Sequence, residues 1–348
     1  MKSLLAFLLV LIAQQAIPCS TFFINHNGQM VFGRNYDWVS GAGMVHTNQR
    51  GLLKTSYKVA DGSTISWTSR YGSLTFNQYG KEFPTGGMNE KGLVVELMWL
   101  DETVYPKQDA RAAIGVLQWI QYQLDNCATI EEVIATDKQL RITSTGSPLH
   151  YLVADAQGKA AAIEFLDGKM VVHKGDQLSF AVLTNSLYAQ SAQEAKQSLA
   201  GNDIPGNNSS IGRFTRACSM INRYEAGSKT SLTDHAFNIL SSVKQGDHTK
   251  WSIVYDITNR KVFFKTLDAP KVKTVSFSAF NFSCQQQAFA FDMNQPGKDN
   301  VSSFFKPFNH EMNQKAIGEA ARQSNGEVTI SATTQQAMAA YPSLISCK

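Results

Sequence analysis

The sequence is poor in the residues and patterns on which most recognisable metal and cofactor chemistry depends. Its 5 cysteines and 7 histidines fall into no His-Glu-x-x-His or Cys-x-x-Cys arrangement, and it has no phosphate-binding loop and no Gly-x-Gly-x-x-Gly turn. The chain is therefore read as working without a metal or a cofactor. Charge is also sparse, at 17% of residues with a formal net charge of +4. Because no block of lysine and arginine stands out, the electrostatic footprint of a nucleic-acid-binding surface is missing. No apolar run reaches the roughly 20 residues needed to cross a bilayer, which argues against stable membrane insertion. No internal repeat or low-complexity linker interrupts the chain, and 43% apolar residues are enough for a large ordered core.

What is present begins with a short apolar run, Leu4 to Ile12, behind a positive Lys2. Its length and flanks read as a cleaved export signal over residues 1–18, which places the mature protein in the periplasm or outside the cell. Signal cleavage favours small residues, so a cut near Ala13 or Ala16 followed by trimming to Cys19 is expected. An N-terminal Cys19 would carry both a thiol and an α-amine. With reference pKa values of about 8.5 and about 8, the amine can take the thiol proton during attack on an amide.

Cys19 to His26 alternates polar and apolar residues, Asn27-Gly28 is a hairpin turn, and Gln29 to Gly33 returns as a second strand. The end of the second strand of a hairpin lies beside the start of the first, so Arg34 and Asp37 are brought near Cys19. A carboxylate there can hold the α-amine, and a guanidinium can favour the thiolate. A surface Arg–Asp ion pair is the plainer alternative.

Further along, Asn89-Glu90-Lys91-Gly92 turns into an apolar strand ending at Met98-Trp99-Leu100. Helical spacing over Ala112 to Leu124 and a capping box at Thr129-Ile130-Glu131-Glu132 predict two helices. Tyr151–Asp155 and Ala160–Phe165 form a hairpin, with Met170–His173 and Phe180–Leu183 continuing the sheet. Helices follow at about Ile211–Tyr224 and Leu232–Val243, then strands at Trp251–Asp256 and Lys261–Thr266, and Met312–Arg322 is helical with no evident partner. Cys284 with Cys347 would tie down the C-terminal tail, as one of three connectivities open to the four cysteines other than Cys19.

Cys19-Ser20-Thr21 followed by Gly33-Arg34-Asn35-Tyr36-Asp37 resembles the opening of the choloylglycine hydrolases, which include bile salt hydrolases and penicillin V acylases. The resemblance recurs, in order, in Gly87-Met88-Asn89-Glu90-Lys91-Gly92-Leu93, Leu183-Thr184-Asn185-Ser186 and Ser210-Ile211-Gly212-Arg213-Phe214-Thr215-Arg216. It implies an α+β fold over residues 19–348 as a single domain, a four-layer αββα sandwich of two antiparallel sheets flanked by helices. It also implies an N-terminal-nucleophile amide hydrolase acting on a small-molecule N-acyl amide, and a possible homotetramer.

By the same resemblance Cys19, Arg34, Asp37, Asn185 and Arg213 are the catalytic set, with Arg216 the competitor for the last place. Asn185 would stabilise the oxyanion together with the Trp99 backbone N–H. Trp38 and Trp99 would form an aromatic wall for a flat or apolar acyl group, a feature that resembles the penicillin V acylase branch. Bile salt hydrolysis and N-acyl homoserine lactone deacylation are the alternative activities. Readings of another kind are a papain-like enzyme using His150, His235 or His248, and a non-catalytic exported binding protein.

Overall fold

The computed structural model describes residues 19–144, 146–224 and 230–348. The export signal read over residues 1–18 lies outside the described residues. Two large sheets form the centre. The first has seven strands, in the order Val182–Leu183, Ser20–His26, Gln29–Asp37, Thr249–Asp256, Lys261–Thr266, Lys273–Ser276 and Asp299–Asn300. The second has nine: Lys169–Lys174, Ala160–Leu166, Leu149–Ala154, Val94–Trp99, Gly86–Asn89, Ser73–Asn77, Met44–Asn48, Phe289–Asp292 and Lys306–Pro307. Neighbouring strands are antiparallel except at the far edge of the first sheet, where Lys273–Ser276 and Asp299–Asn300 run parallel.

Alternation of side chains decides what each face of these sheets does. Along Val94–Trp99, Val94 and Met98 join the core shared by the two sheets, whereas Val95 and Leu97 join a second core under the helix Val116–Asn126. That helix buries Trp119, Ile120 and Leu124, each worth about 1.5–3 kcal/mol when fully withdrawn from water. The sheets meet face to face: Phe76 packs edge-on against Tyr255 at 5.9 Å, and the Thr21 hydroxyl points at the Met98 sulfur at 3.3 Å. Tyr188–Ala200, Ser210–Asn222 and Leu232–Ser242 cover the outer face of the first sheet. The order helix, sheet, sheet, helix is the αββα sandwich expected.

Several boundaries differ from the sequence reading, each for a local reason. The second strand does not stop at Gly33 but continues to Asp37, because Thr249–Asp256 pairs with it on its other side. The helix expected over Ala112–Leu124 starts only at Val116; Ala112–Ile114 is instead a strand paired in parallel with Leu140–Ile142. Gly115, extended at φ −71° and ψ 153°, separates the two. Phe180–Leu183 does not continue the sheet of Lys169–Lys174; only Val182–Leu183 is a strand, and it pairs with Ser20–His26 at the edge of the first sheet. Thr129 caps its helix as read, accepting from the Glu132 N–H at 3.2 Å.

The C-terminal helix, His310–Gln323, finds its partner in Ala332–Ala340. Together they bury Ile317, Ala320 and Met338 against Tyr79 and Phe83. The tail then runs back as Ser346–Cys347 to pair with Leu52 and Leu53, and a disulfide joins Cys347 to Cys284. Among the described residues, no helix is long and apolar enough to cross a membrane.

Candidate active site

The hairpin register fixes what surrounds Cys19. Ser20 lies opposite Asn35 and Thr21 opposite Arg34, so Cys19, Thr21, Arg34 and Tyr36 share the face turned towards the second sheet. Cys19 is buried at 4% exposure, and its thiol lies 3.7 Å from the Asp37 carbonyl oxygen. Burial pushes the thiol pKa up, while the Arg34 charge pulls it down. The sulfur is thus held in a dry site beside a guanidinium, where thiolate formation depends on local charge and not on solvent.

Arg34 is fully buried and is held by the second sheet. It donates to the Thr85 carbonyl at 3.1 Å and the Leu97 carbonyl at 3.2 Å, and pairs directly with the Glu96 carboxylate. Glu96 also accepts from the Tyr255 hydroxyl. Burial pushes the Glu96 carboxyl up to about 7, against the pull of Arg34 and the Tyr255 hydroxyl. A Cβ on Gly86 would sit 2.0 Å from a Glu96 oxygen, so only glycine leaves room for this carboxylate. Glu96 was not singled out from the sequence. The signal was a lone charge inside the apolar run Val94 to Trp99, which a folded sheet can bury only with a partner.

Asp37 ends the same strand. One of its carboxylate oxygens accepts from the Thr249 hydroxyl, and the other is buried with no hydrogen-bond partner among the described residues. Burial pushes its pKa up to about 7, although Thr249 and the charges of Arg213 and Arg34 act downward. The Arg34 Nε is a second buried polar group without a partner among the described residues. Unfilled hydrogen-bonding capacity of this kind, flanking one cysteine, marks a place for polar chemistry.

Arg213 reaches the site from the helix Ser210–Asn222, which Ser209 caps by accepting from the Gly212 N–H at 3.1 Å. Its guanidinium donates to the Cys19 carbonyl at 2.5 Å, the Ser20 hydroxyl at 2.8 Å and the Asn185 side-chain oxygen at 2.9 Å. Asn185 in turn donates from its amide nitrogen to the Trp99 carbonyl at 2.9 Å. The structure therefore brings Cys19, Arg34, Asp37, Asn185, Arg213 and Trp99 together. Arg216 stands apart, holding the loop before the helix through the Pro205 carbonyl at 2.9 Å and Asn208 at 2.7 Å.

Cys19 opens into a cavity of about 170 Å³ whose lining is mostly apolar and includes Trp38, Tyr79, Leu97, Trp99 and Leu149. The two indoles face each other with ring centres 6.4 Å apart. The Trp38 N–H donates to the Tyr79 and Ser324 hydroxyls at 3.0 and 3.1 Å, and the Trp99 N–H to Asp101 at 2.6 Å. Both rings therefore present apolar faces with their polar edges satisfied. A larger cavity of about 650 Å³, lined by Phe23, Ile130, Lys174 and Cys218 among others, contains none of these site residues. Size alone therefore does not single out the cavity where the polar groups converge on Cys19.

The three histidines considered as thiol partners do not line the Cys19 cavity. His150 is buried, with Nε2 2.7 Å from the Thr184 carbonyl and Nδ1 3.4 Å from Glu164, and so braces the strand end that carries Asn185. His235 bonds the Met220 carbonyl at 3.0 Å, and His248 is exposed.

The profile of the linear amide C–N hydrolases, choloylglycine hydrolase family, matches residues 19–193 and 187–290. A penicillin V acylase from Pectobacterium atrosepticum is 30% identical over 265 residues, 63% of this chain and 70% of that protein. The structure of penicillin V acylase from Agrobacterium tumefaciens superposes with a TM-score of 0.74 at 26% identity, covering 84% of this chain and 98% of that one. A variant of conjugated bile acid hydrolase from Clostridium perfringens shares the fold, with a TM-score of 0.68 at 18% identity over 80% of this chain and 98% of that one. The chain belongs to the choloylglycine hydrolase family of linear amide C–N hydrolases.

Proposed function

We propose that this protein hydrolyses N-acyl amides with Cys19 as an N-terminal nucleophile, and that its substrates carry a compact, aromatic acyl group like that of penicillin V. The observation that carries the reading is that Cys19 lines a cavity of about 170 Å³ together with Trp38 and Trp99. A cavity of about 150 Å³ with apolar walls accepts one benzene ring, whereas pockets for drug-sized ligands run to about 300–1,000 Å³. One aromatic ring with a short linker suits this volume better than a steroid does.

In the proposed reaction, removal of residues 1–18 frees the Cys19 α-amine. The sulfur attacks the amide carbonyl while the amine accepts the thiol proton. The Asn185 amide, oriented by Arg213 and the Trp99 carbonyl, and the Trp99 backbone N–H stabilise the oxyanion. Collapse breaks the C–N bond, and the leaving amine takes the proton from the α-ammonium. Water then attacks the thioester with the α-amine as base, which releases the carboxylic acid and restores the thiol. Asp37, with one buried oxygen lacking a partner among the described residues, is the counter-ion for the ammonium, and Arg34 steadies the thiolate. The mature enzyme works in the periplasm or outside the cell, a reading supported by the short apolar run Leu4 to Ile12 behind Lys2.

The test is intact mass and N-terminal sequencing of the exported protein, with hydrolysis of penicillin V, glycocholate and a long-chain N-acyl homoserine lactone assayed on the same sample. A chain beginning at Cys19 that cleaves penicillin V fastest supports the proposal. Preference for either other amide moves the assignment to that substrate. A chain with a blocked Cys19 amine and no hydrolysis leaves a binding protein.

A further inference from the structure

The cavity beside Cys19 is not closed by the sandwich alone. Val328, Ile330 and Met338 line it together with Cys19 and Asp37, and all three lie beyond residue 290, where the match to the family profile ends. Several contacts hold this segment against the site. The Ser324 hydroxyl bridges the Trp38 N–H at 3.1 Å and the Tyr79 hydroxyl at 2.9 Å. Gln323 accepts from the Ser40 hydroxyl at 2.8 Å. Asn313 accepts from the Lys81 N–H at 2.9 Å and donates to the Ala339 carbonyl at 3.2 Å, joining the Tyr79–Phe83 loop to the terminal helix. The tail is then secured at its far end by Cys284–Cys347.

We infer that residues 324–338 are the specificity-determining wall of the acyl pocket. Met338, buried at 9% exposure, and the half-buried Ile330 set the pocket's depth and limit the acyl group to about the size of one aromatic ring. The inference rests on the N-acyl amide reading for its substrate, but the wall can be read without turnover. A pocket closed by flexible side chains discriminates by length. Truncating Met338 opens space for longer acyl chains and strips contacts from short ones, and a single methylene in a hydrophobic pocket is worth about 10–200-fold in specificity.

The experiment compares the full-length processed protein with Met338→Ala on two amides of one amine, N-phenoxyacetyl- and N-decanoyl-4-nitroaniline. Binding of phenoxyacetate and decanoate is followed in parallel by tryptophan fluorescence, since Trp38 and Trp99 line the same cavity. The kcat/KM ratio of decanoyl to phenoxyacetyl is expected to rise roughly tenfold or more, with the same sense of change in acid binding. Ile330→Trp, which fills the pocket from a half-exposed position, is expected to move both ratios the other way and serves if Met338→Ala does not fold. Unchanged ratios in folded variants overturn the wall. If the wild-type protein cleaves neither amide but its acid affinities shift with the variants, the wall stands and the amide hydrolase reading falls.

Discussion

Arg34 shows how much one side chain can constrain a site. Its charge lies within a dry layer between two sheets, and three acceptors there, the Thr85 and Leu97 carbonyls and the Glu96 carboxylate, hold it in place. Glu96→Ala would leave that charge buried without its partner. A loss of about 3–5 kcal/mol of stability is expected, measured by urea unfolding, because breaking a buried pair costs far more than forming it gains. Asn185→Ala tests a different role. Loss of one oxyanion donor is expected to lower kcat by about 10²–10³, roughly 3–4 kcal/mol, with KM little changed. Equal losses through KM would instead assign Asn185 to substrate binding. Cys19→Ala is expected to abolish hydrolysis while leaving penicillin V binding measurable by calorimetry.

Among elements, the hairpin Ser20–His26 with Gln29–Asp37 matters most, because its register puts Arg34 and Tyr36 on the face of Cys19. The sequence reading ended its second strand at Gly33 since polar residues follow, yet Arg34, Asn35 and Asp37 are all buried. Asn35 is satisfied by both neighbours of its strand: it donates to the Leu240 carbonyl of the covering helix at 2.7 Å and accepts from Ser252 of the adjacent strand at 2.8 Å. The C-terminal tail is the other decisive element. The disulfide closes a sequence separation of 63 residues, so replacing Cys284 and Cys347 by serine removes a constraint worth about 4 kcal/mol in the chain-entropy account. A lowered urea midpoint and faster proteolysis beyond Ser324 are expected. An unchanged midpoint would show that the helices Asn309 caps and Ser331 caps hold the tail unaided.

Across the whole molecule, buried carboxyls tie stability to pH. Burial raises Asp37 to about 7 from an ordinary 3.8, so the folded chain binds more protons than the unfolded one between those values. Its contribution is fully present below about pH 4 and is lost as pH rises through 7, at roughly 1.4 kcal/mol per pH unit. Glu96 acts in the same direction. Glu164 opposes them: burial raises it, but hydrogen bonds from His150 and His173 outweigh this and hold it at about 2, so its contribution is lost only as pH falls through that value. The urea midpoint of the full-length chain is expected to be lower at pH 8 than at pH 5, and Asp37→Asn to flatten the decline. A midpoint that rises over this interval would mean Asp37 is already ionised at pH 5.

From the sequence by itself the order of strands and helices was readable in outline, and the resemblance to the family turned that order into a four-layer sandwich. The sequence also determined the family, since four short blocks recur in order, and it held most of the site, because Cys19, Arg34 and Asp37 lie on one hairpin. Even the Cys284–Cys347 pairing proved to be the bond formed, with Cys127 and Cys218 left as buried thiols. Only the tertiary structure decided the rest. Arg213 rather than Arg216 reaches Cys19 because the rotation of its helix on the first sheet is set by packing of Phe214, Ala217 and Cys218, not by a spacing visible along the chain. Glu96 acquires meaning only when the second sheet lays it against Arg34. The wall from Val328 to Met338 was illegible for the same reason: a cavity belongs to no segment, and its shape follows from residues more than 300 positions apart brought together when apolar faces leave water.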